Sequence, residues 1–168
     1  MRPIRSSDDA MMCHRHVTSD RLCEHPTDAI ALSFPAAMHV WLETESDIMF
    51  ACREVRSLAE RLNFNRSSTY QLATAASELA SNLVIHAGGG WLSATPMTKQ
   101  CLTPPQGIEL LSKDDGPGIV DLILALTEGY STTGSLGCGL PGVKRLMDTF
   151  AIDSEPGRGT WVRAVKWH

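Results

Sequence analysis

The sequence predicts an α+β fold, a two-layer sandwich in which helices cover one face of a mixed sheet. Three observations support this prediction. Two long segments carry apolar residues at helical spacing, five shorter segments are rich in strand-forming residues, and turns containing Gly or Pro separate them. The chain has 168 residues, of which 43% are hydrophobic and 20% charged, so it is long enough for one domain with its own core.

The helices are predicted from apolar periodicity and from their end signals. The first, over 45–62, begins after Thr44, an N-cap residue with Asp47 three positions later. The second, over 67–86, ends at the glycines 88–90. Its apolar stripe is formed by Leu72, Ala76, Leu79 and Leu83. A short helix is predicted over 121–128, and a further one over about 140–149.

The predicted strands lie on both sides of these helices. They span 37–43, 91–95, 107–113, 150–154 and 159–167. Pro104 and Pro105 favour a loop between the second and third of them. Residues 129–142 are rich in Gly, Ser and Thr, which predicts a flexible loop.

The composition changes near residue 35. Residues 1–34 show no sustained period and are predicted to form a flexible N-terminal extension, with a single domain over 35–168. The extension contains side chains that can ligate zinc, but their spacing matches no standard zinc finger. These residues are Cys13, His14, His16, Cys23 and His25. Translation starting at Met38 is a further alternative for the N-terminus.

Charge and hydropathy argue against several classes of partner. The formal net charge is −4 and the sequence pI is about 5.8, so no overall positive field favours nucleic acid or anionic membrane. No apolar run reaches the length of a membrane span, and the residues after Arg5 are polar rather than the apolar core of a signal peptide. The sequence therefore predicts a cytoplasmic protein with reduced cysteines and no nucleic-acid or membrane partner.

Two polar residues on the second predicted helix are candidates for chemistry. Glu78 and Asn82 are four residues apart, so they share one helix face at the edge of the apolar stripe. An amide oxygen can bind a hard cation while a neighbouring carboxylate orients a nucleophile. An ordinary polar flank is the alternative interpretation.

Two glycine-containing segments supply further candidates. Asp114 opens the turn DDGPGI at 114–119, where a carboxylate can accept a hydrogen bond from an exocyclic amine; an ordinary polar turn is the alternative. Gly134, Gly137 and Gly139 precede a predicted helix, whose N-terminal amides can bind phosphate. The pattern fits neither the Rossmann GxGxxG nor the Walker GK[ST] motif.

Taken in order, these pieces are more specific than any one of them. ELASN at 78–82, DDGPGI at 114–119 and the glycine-rich segment through Gly139 resemble the N, G1 and G2 boxes of the GHKL ATPase superfamily, and GRGT at 157–160 resembles its final nucleotide-binding element. The segments 74–90 and 128–150 are similar to the small serine/threonine switch kinases of bacterial, stressosome-type partner switching. The resemblance covers about 40–168.

The resemblance implies a Bergerat ATP-binding fold with ATP or ADP held between the helices and the sheet. It implies that Asp114 binds the adenine amine and that Gly116 and Gly118 form the floor beside the base. Asn82 is expected to coordinate Mg²⁺, and Glu78 is the expected catalytic base for the substrate hydroxyl.

The remaining implied nucleotide contacts lie in the loop and on the last strand. Gly134, Gly137, Gly139 and Leu140 are expected along the loop that closes over the phosphates, and Thr160 near the adenine.

His86 is expected to cap helix-end carbonyls, with a phosphate or metal contact as the alternative. On the helix after the loop, Lys144 and Arg145 form a solvated basic face or contact phosphate or an acidic partner.

The resemblance also implies partners. Such kinases phosphorylate Ser or Thr on STAS-domain proteins and, once released from these, activate a PP2C-type phosphatase. Two other functions remain open at this point: an anti-sigma factor kinase, and an ATP-binding interaction module with little catalysis. The carboxylate at Glu78 argues against the second of these.

Overall fold

The computed structural model describes residues 38–98, 106–127 and 139–168, together with the backbone of Val17–Thr18. The strands are β1 (Val17–Thr18), β2 (Met38–Leu42), β3 (Gly90–Met97), β4 (Gly107–Lys113), β5 (Thr149–Glu155) and β6 (Gly159–Trp167). The α-helices are α1 (Glu45–Arg61), α2 (Arg66–Ser81), α3 (Leu122–Ala125) and α4 (Gly139–Leu146). All five predicted strands and the predicted α+β class are confirmed.

The strands form one sheet in the order β1-β5-β6-β4-β3-β2. Every pairing within it is antiparallel, so the predicted mixed sheet is wrong in this respect. The reason is the position of β6. β6 follows β5 through a tight hairpin and lies between β5 and β4, antiparallel to both. β4 and β5 therefore run in the same direction, but β6 separates them, so no parallel pair forms.

The helix pair α1 and α2 begins at well-formed caps. The Asp47 carboxylate accepts hydrogen bonds from the backbone N–H groups of Thr44, at 2.8 Å, and Glu43, at 3.0 Å, which confirms the predicted start of α1. The side chain of Asn65 caps α2 by accepting from the Ser68 N–H at 2.9 Å. Asn63 makes the turn between the helices with a φ of +59°, a conformation that asparagine tolerates.

The core lies between the helices and one face of the sheet. The predicted stripe of α2 is completely inside it: Leu72, Ala76, Leu79 and Leu83 are each at most 1% exposed. From the sheet, alternate residues of the central strands fill the same layer. These are Leu92, Ala94, Ile108, Leu110, Val162 and Ala164. Burial of this continuous apolar layer is the main force that holds the helices on the sheet.

The second predicted helix does not remain an α-helix to residue 86. It changes after Ser81 into a π-helical turn over Asn82–His86, in which the Ala87 N–H donates to the Asn82 carbonyl at 3.3 Å. This wider turn takes an extra residue and brings Ala87 against Gly116 in the turn after β4. The sequence does not predict this change, because a π-helical turn shifts the spacing of the apolar residues by only one position.

The face of the sheet opposite the helices carries all four tryptophans of the chain. Trp41 pairs with Trp91 across β2 and β3, and Lys113 lies between Trp91 and Trp161 in the same row. His39 stacks on Trp91 at 4.5 Å between ring centroids. Trp41 and Trp91 are 47% and 42% exposed, whereas Trp161 and Trp167 are partly buried. Intrinsic fluorescence of this protein therefore reports on this one face.

Candidate functional site

The end of α2 presents the first two candidate residues. Glu78 and Asn82 are both partly buried, and they lie on one face one turn apart, as predicted. Within the described residues neither side chain has a hydrogen-bond or ion-pair partner. Burial raises the pKa of the Glu78 carboxyl above its ordinary value of 4.5. A partly buried carboxylate without a cation beside it lacks the pairing that a purely structural role favours.

The turn after β4 holds the third candidate. Asp114 Oδ1 accepts hydrogen bonds from the Gly116 N–H at 2.9 Å and the Thr160 N–H at 3.2 Å. Its other carboxylate oxygen, Oδ2, has no partner among the described residues. The side chain is thus held from two directions through one oxygen, and the second oxygen can accept from a ligand.

Packing joins this turn to the end of α2. A Cβ at Gly90 would lie 2.6 Å from Leu83 and 3.2 Å from the Asp114 side chain, and one at Gly116 would lie 2.8 Å from Ala87. Only glycine leaves room for such approaches. The structure therefore brings Glu78 and Asn82, at the end of α2, to the same end of the sandwich as Asp114.

The hairpin between β5 and β6 locks onto the same turn. The Gly157 N–H donates to the Pro117 carbonyl at 2.7 Å, and the Asp114 N–H to the Thr160 carbonyl at 3.0 Å. Gly118 and Gly159 have φ values of +67° and +87°, and a methyl group on either would penetrate the backbone of the opposite segment. Thr160, predicted from the last motif, is thus a direct neighbour of Asp114.

Ser154 belongs to this junction although the sequence analysis missed it. Its hydroxyl accepts from the Ile119 N–H at 2.9 Å, donates to the Gly159 carbonyl at 3.0 Å and lies 2.9 Å from Thr160 Oγ1. A single serine in a strand has no local pattern that reveals contacts with residues 35 positions away. The only available signal was its position just before the GRGT element.

The phosphate-binding candidates are only partly described. Gly134 and Gly137 lie outside the described residues. Gly139 is the first residue of α4, and apart from its chain neighbours and its own helix no described residue lies within 4 Å of the position a Cβ would occupy there. Leu140 is buried. The helix predicted over about 140–149 is confirmed as α4, which begins at Gly139 and ends at Leu146; the loop predicted over 129–142 overlaps its first turn, where Pro141 is tolerated.

A metal site requires several ligating side chains close together. No three His, Cys, Asp or Glu side chains of the described ranges come together as a metal site. The predicted zinc ligands Cys13, His14, His16, Cys23 and His25 lie outside those ranges. A single amide such as Asn82 fits Mg²⁺ that arrives with a nucleotide, because Mg²⁺ takes its other ligands from phosphates and water.

The other polar candidates are peripheral. His86 ends the π-helical turn and is exposed, and its side chain makes no hydrogen bond with any described residue, so the expected capping of carbonyls is not observed. Lys144 and Arg145 lie in the last turn of α4. No helix in the described part of the chain is long and apolar enough to cross a membrane.

This arrangement is that of a nucleotide-binding domain, and the sequence matches the family described as "Histidine kinase-like ATPase domain" over residues 42–166. The chain belongs to this family, which is the GHKL fold that the motifs indicated. The match begins in β2 and ends in β6, so it includes Glu78, Asn82, Asp114 and Thr160.

Two individual relatives indicate which kind of protein within this family the chain is similar to. The chain is 40% identical to the serine/threonine-protein kinase RsbT of Bacillus subtilis over 128 residues, which are 76% of this chain and 94% of the relative. It is 28% identical to the anti-sigma F factor of Caldanaerobacter subterraneus over 130 residues, with 76% and 90% covered. The protein is therefore an RsbT-like serine/threonine kinase of the GHKL type, and both relatives support a partner-switching kinase.

A solved structure is more distant. The mycobacterial sensor histidine kinase MprB shares 18% identity, covers 77% of this chain and 97% of its own, and has a TM-score of 0.45. This likeness is too weak to add to the family assignment.

Proposed function

We propose that this protein transfers the γ-phosphate of ATP to a Ser or Thr of a STAS-domain protein, and that after release from that protein it activates a PP2C-type phosphatase. The observation that carries the proposal is the partly buried Glu78 carboxylate without a cation partner in the described residues, one turn before Asn82 on α2. We propose a cytoplasmic location, where ATP is available as the donor.

In this proposal the base of the nucleotide lies against the turn after β4. The free Oδ2 of Asp114 accepts from the adenine amine, while its Oδ1 remains bonded to Gly116 and Thr160. Gly116 and Gly118 form the floor beside the base, and Thr160 borders it. The phosphates extend toward the N-terminus of α4, where the described residues leave space beside Gly139 and backbone N–H groups have no partner within the helix.

The reacting end lies near α2. Asn82 would hold Mg²⁺ through its amide oxygen, and the cation supplies charge neutralisation for the phosphates. Glu78 accepts the proton of the substrate hydroxyl as that oxygen attacks phosphorus. Its raised pKa makes the carboxylate a better proton acceptor, and phosphotransfer should increase with pH as Glu78 ionises.

The anti-sigma F relatives make a second function testable, namely sequestration of a sigma factor. The higher identity to RsbT, 40% against 28%, favours the switch kinase. Recovery of partners with and without ATP, followed by intact mass, separates the two. With ATP, we expect a STAS-domain protein that gains the mass of one phosphate, and a phosphatase that is recovered once this phosphorylation has released the kinase. Capture of a sigma factor alone would support the alternative.

The catalytic role is tested with Glu78→Gln, which keeps the size of the side chain and removes the base. We expect phosphotransfer to a STAS-domain protein to fall by about 10²–10⁴-fold, the usual contribution of a general base, with ATP affinity largely retained. Glu54→Gln, at a partly buried glutamate of α1, is the matched control and should leave the rate unchanged. Phosphotransfer by Glu78→Gln at the wild-type rate would refute the assignment of Glu78 as the base. Absence of phosphotransfer by the wild-type protein would favour the interaction module.

A further inference from the structure

The hydroxyl of Ser154 joins three elements of the proposed nucleotide site. It accepts from the Ile119 N–H at 2.9 Å, donates to the Gly159 carbonyl at 3.0 Å, and lies 2.9 Å from Thr160 Oγ1. The first partner belongs to the segment after the Asp114 turn, and the other two belong to β6. Ser154 itself lies on the helix-covered side of β5, as Ile152 and Phe150 do.

Counting protons decides which hydroxyl donates in the pair between Ser154 and Thr160. A serine hydroxyl has one hydrogen and two lone pairs. The Gly159 carbonyl can only accept, so it takes the hydrogen of Ser154; the Ile119 N–H can only donate, so it takes one lone pair. The remaining lone pair makes Ser154 the acceptor from Thr160. The hydrogen of Thr160 therefore points at Ser154, and Thr160 Oγ1 offers only lone pairs elsewhere.

The Asp114 carboxylate lies beside Thr160 and likewise offers only hydrogen-bond acceptors. The Thr160 N–H donates to Asp114 Oδ1 at 3.2 Å, so the two side chains come from directly neighbouring positions. Asp114 Oδ2 has no partner among the described residues, and a carboxylate offers no hydrogen of its own. A ligand group at this place meets two acceptors. An amino group satisfies them, whereas a carbonyl oxygen is repelled and leaves them unpaired.

We propose that Ser154 is a positioning residue that sets base specificity: by holding the Thr160 hydroxyl as an acceptor, it makes the site select a purine with a 6-amino group over one with a 6-carbonyl. This inference rests on the proposed function, since it requires the base to lie at Asp114. Ser154 does not touch the nucleotide and acts through Thr160 alone.

The test compares ATP with inosine triphosphate, which carries a carbonyl oxygen in place of the 6-amino group. Both dissociation constants are measured by titration calorimetry on the full chain. Ser154→Ala frees the Thr160 hydroxyl to rotate and donate to that oxygen, and we expect the preference for ATP to fall by about tenfold, the effect of one polar contact. Ser154→Thr keeps the hydroxyl and should restore the preference. Ser93→Ala, at a buried serine on the opposite face of the sheet, should not change it.

The outcomes are distinguishable. Equal weakening of both nucleotides by Ser154→Ala would show that Ser154 only supports the fold, which overturns the proposal. If Ser154→Ala does not fold, as judged by circular dichroism, Thr160→Val decides: it removes the acceptor, and an unchanged preference for ATP would overturn the proposal. Absence of ATP binding to the wild-type chain would refute the proposed function as well, whereas an unchanged preference with intact binding refutes this inference alone.

Discussion

Replacing Gly159 with alanine tests whether the junction between the β5–β6 hairpin and the Asp114 turn is as close as the structure shows. Two effects act at this position. The φ of +87° is unfavourable for an L-residue, and the new methyl group would overlap the Asp114 carbonyl oxygen, 2.7 Å from the carbonyl carbon of Asp114 and 2.8 Å from the Cα of Asp115. Gly157→Ala is a matched control, because Gly157 has a φ of +79° but no described residue beyond its chain neighbours within 4 Å of a Cβ.

The magnitude follows from these contacts. The left-handed conformation costs alanine about 1–2 kcal/mol at either position, partly offset by about 0.4–1 kcal/mol from the stiffer unfolded chain. At Gly159 the contact with the Asp114 carbonyl carbon must also open from 2.7 Å to the 3.4 Å of ordinary contact, by at least 0.7 Å, and the contact with the carbonyl oxygen must open further. That shift breaks the hydrogen bond from the Thr160 N–H to Asp114, already 3.2 Å long, and strains the bond from the Asp114 N–H to Thr160.

The broken hydrogen bond contributes about 1 kcal/mol and the strained one up to about as much, so Gly159→Ala should lower the free energy of unfolding by about 2–3 kcal/mol and Gly157→Ala by only about 1 kcal/mol or less. Urea unfolding followed by tryptophan fluorescence measures both, and calorimetric titration with ATP should show weaker binding for Gly159→Ala only. If the two variants are equally stable and bind ATP equally, the close approach of the two segments is refuted.

Three further predictions concern single side chains. Asp114→Asn keeps an oxygen for the internal hydrogen bonds but turns a donor toward the adenine amine, so ATP affinity should fall about 10–100-fold by calorimetry while the melting temperature changes little; equal affinity would contradict the assignment. Burial raises the pKa of the Glu78 carboxyl above 4.5, so the folded chain keeps the carboxyl proton to higher pH than the unfolded chain does. The free energy of unfolding therefore decreases as the pH rises from 4.5 through the pKa of the folded state. Glu78→Gln lacks that loss, and its melting temperature relative to wild type should be higher at about pH 7.5 than at about pH 4; a pH-independent difference would contradict burial as the cause. Asn65→Ala removes the cap of α2 and should cost about 1 kcal/mol in urea unfolding, with no change if the Ser68 N–H finds another acceptor.

Local patterns predicted the secondary structure well. The stripe of α2, the cap at Thr44 and the β5–β6 hairpin involve residues within a few positions of each other, so periodicity and turn residues are sufficient to reveal them. The order along the chain of the motifs at 78–82, 114–119, the glycine-rich segment through Gly139 and 157–160 was also enough to indicate the superfamily, and the family match confirms it. Their individual roles stay predictions.

Contacts between distant segments depended on the tertiary structure. The antiparallel insertion of β6, the π-helical turn that seats Ala87 on Gly116, and the neighbouring positions of Asp114 and Thr160 each depend on residues tens of positions apart. The direction of the Thr160 hydroxyl depends on Ser154, whose three partners saturate it only after both hairpin and turn have packed. Sequence periodicity reports which face of an element is apolar, whereas hydrogen-bond direction depends on which groups the folded chain brings within about 3 Å of one another.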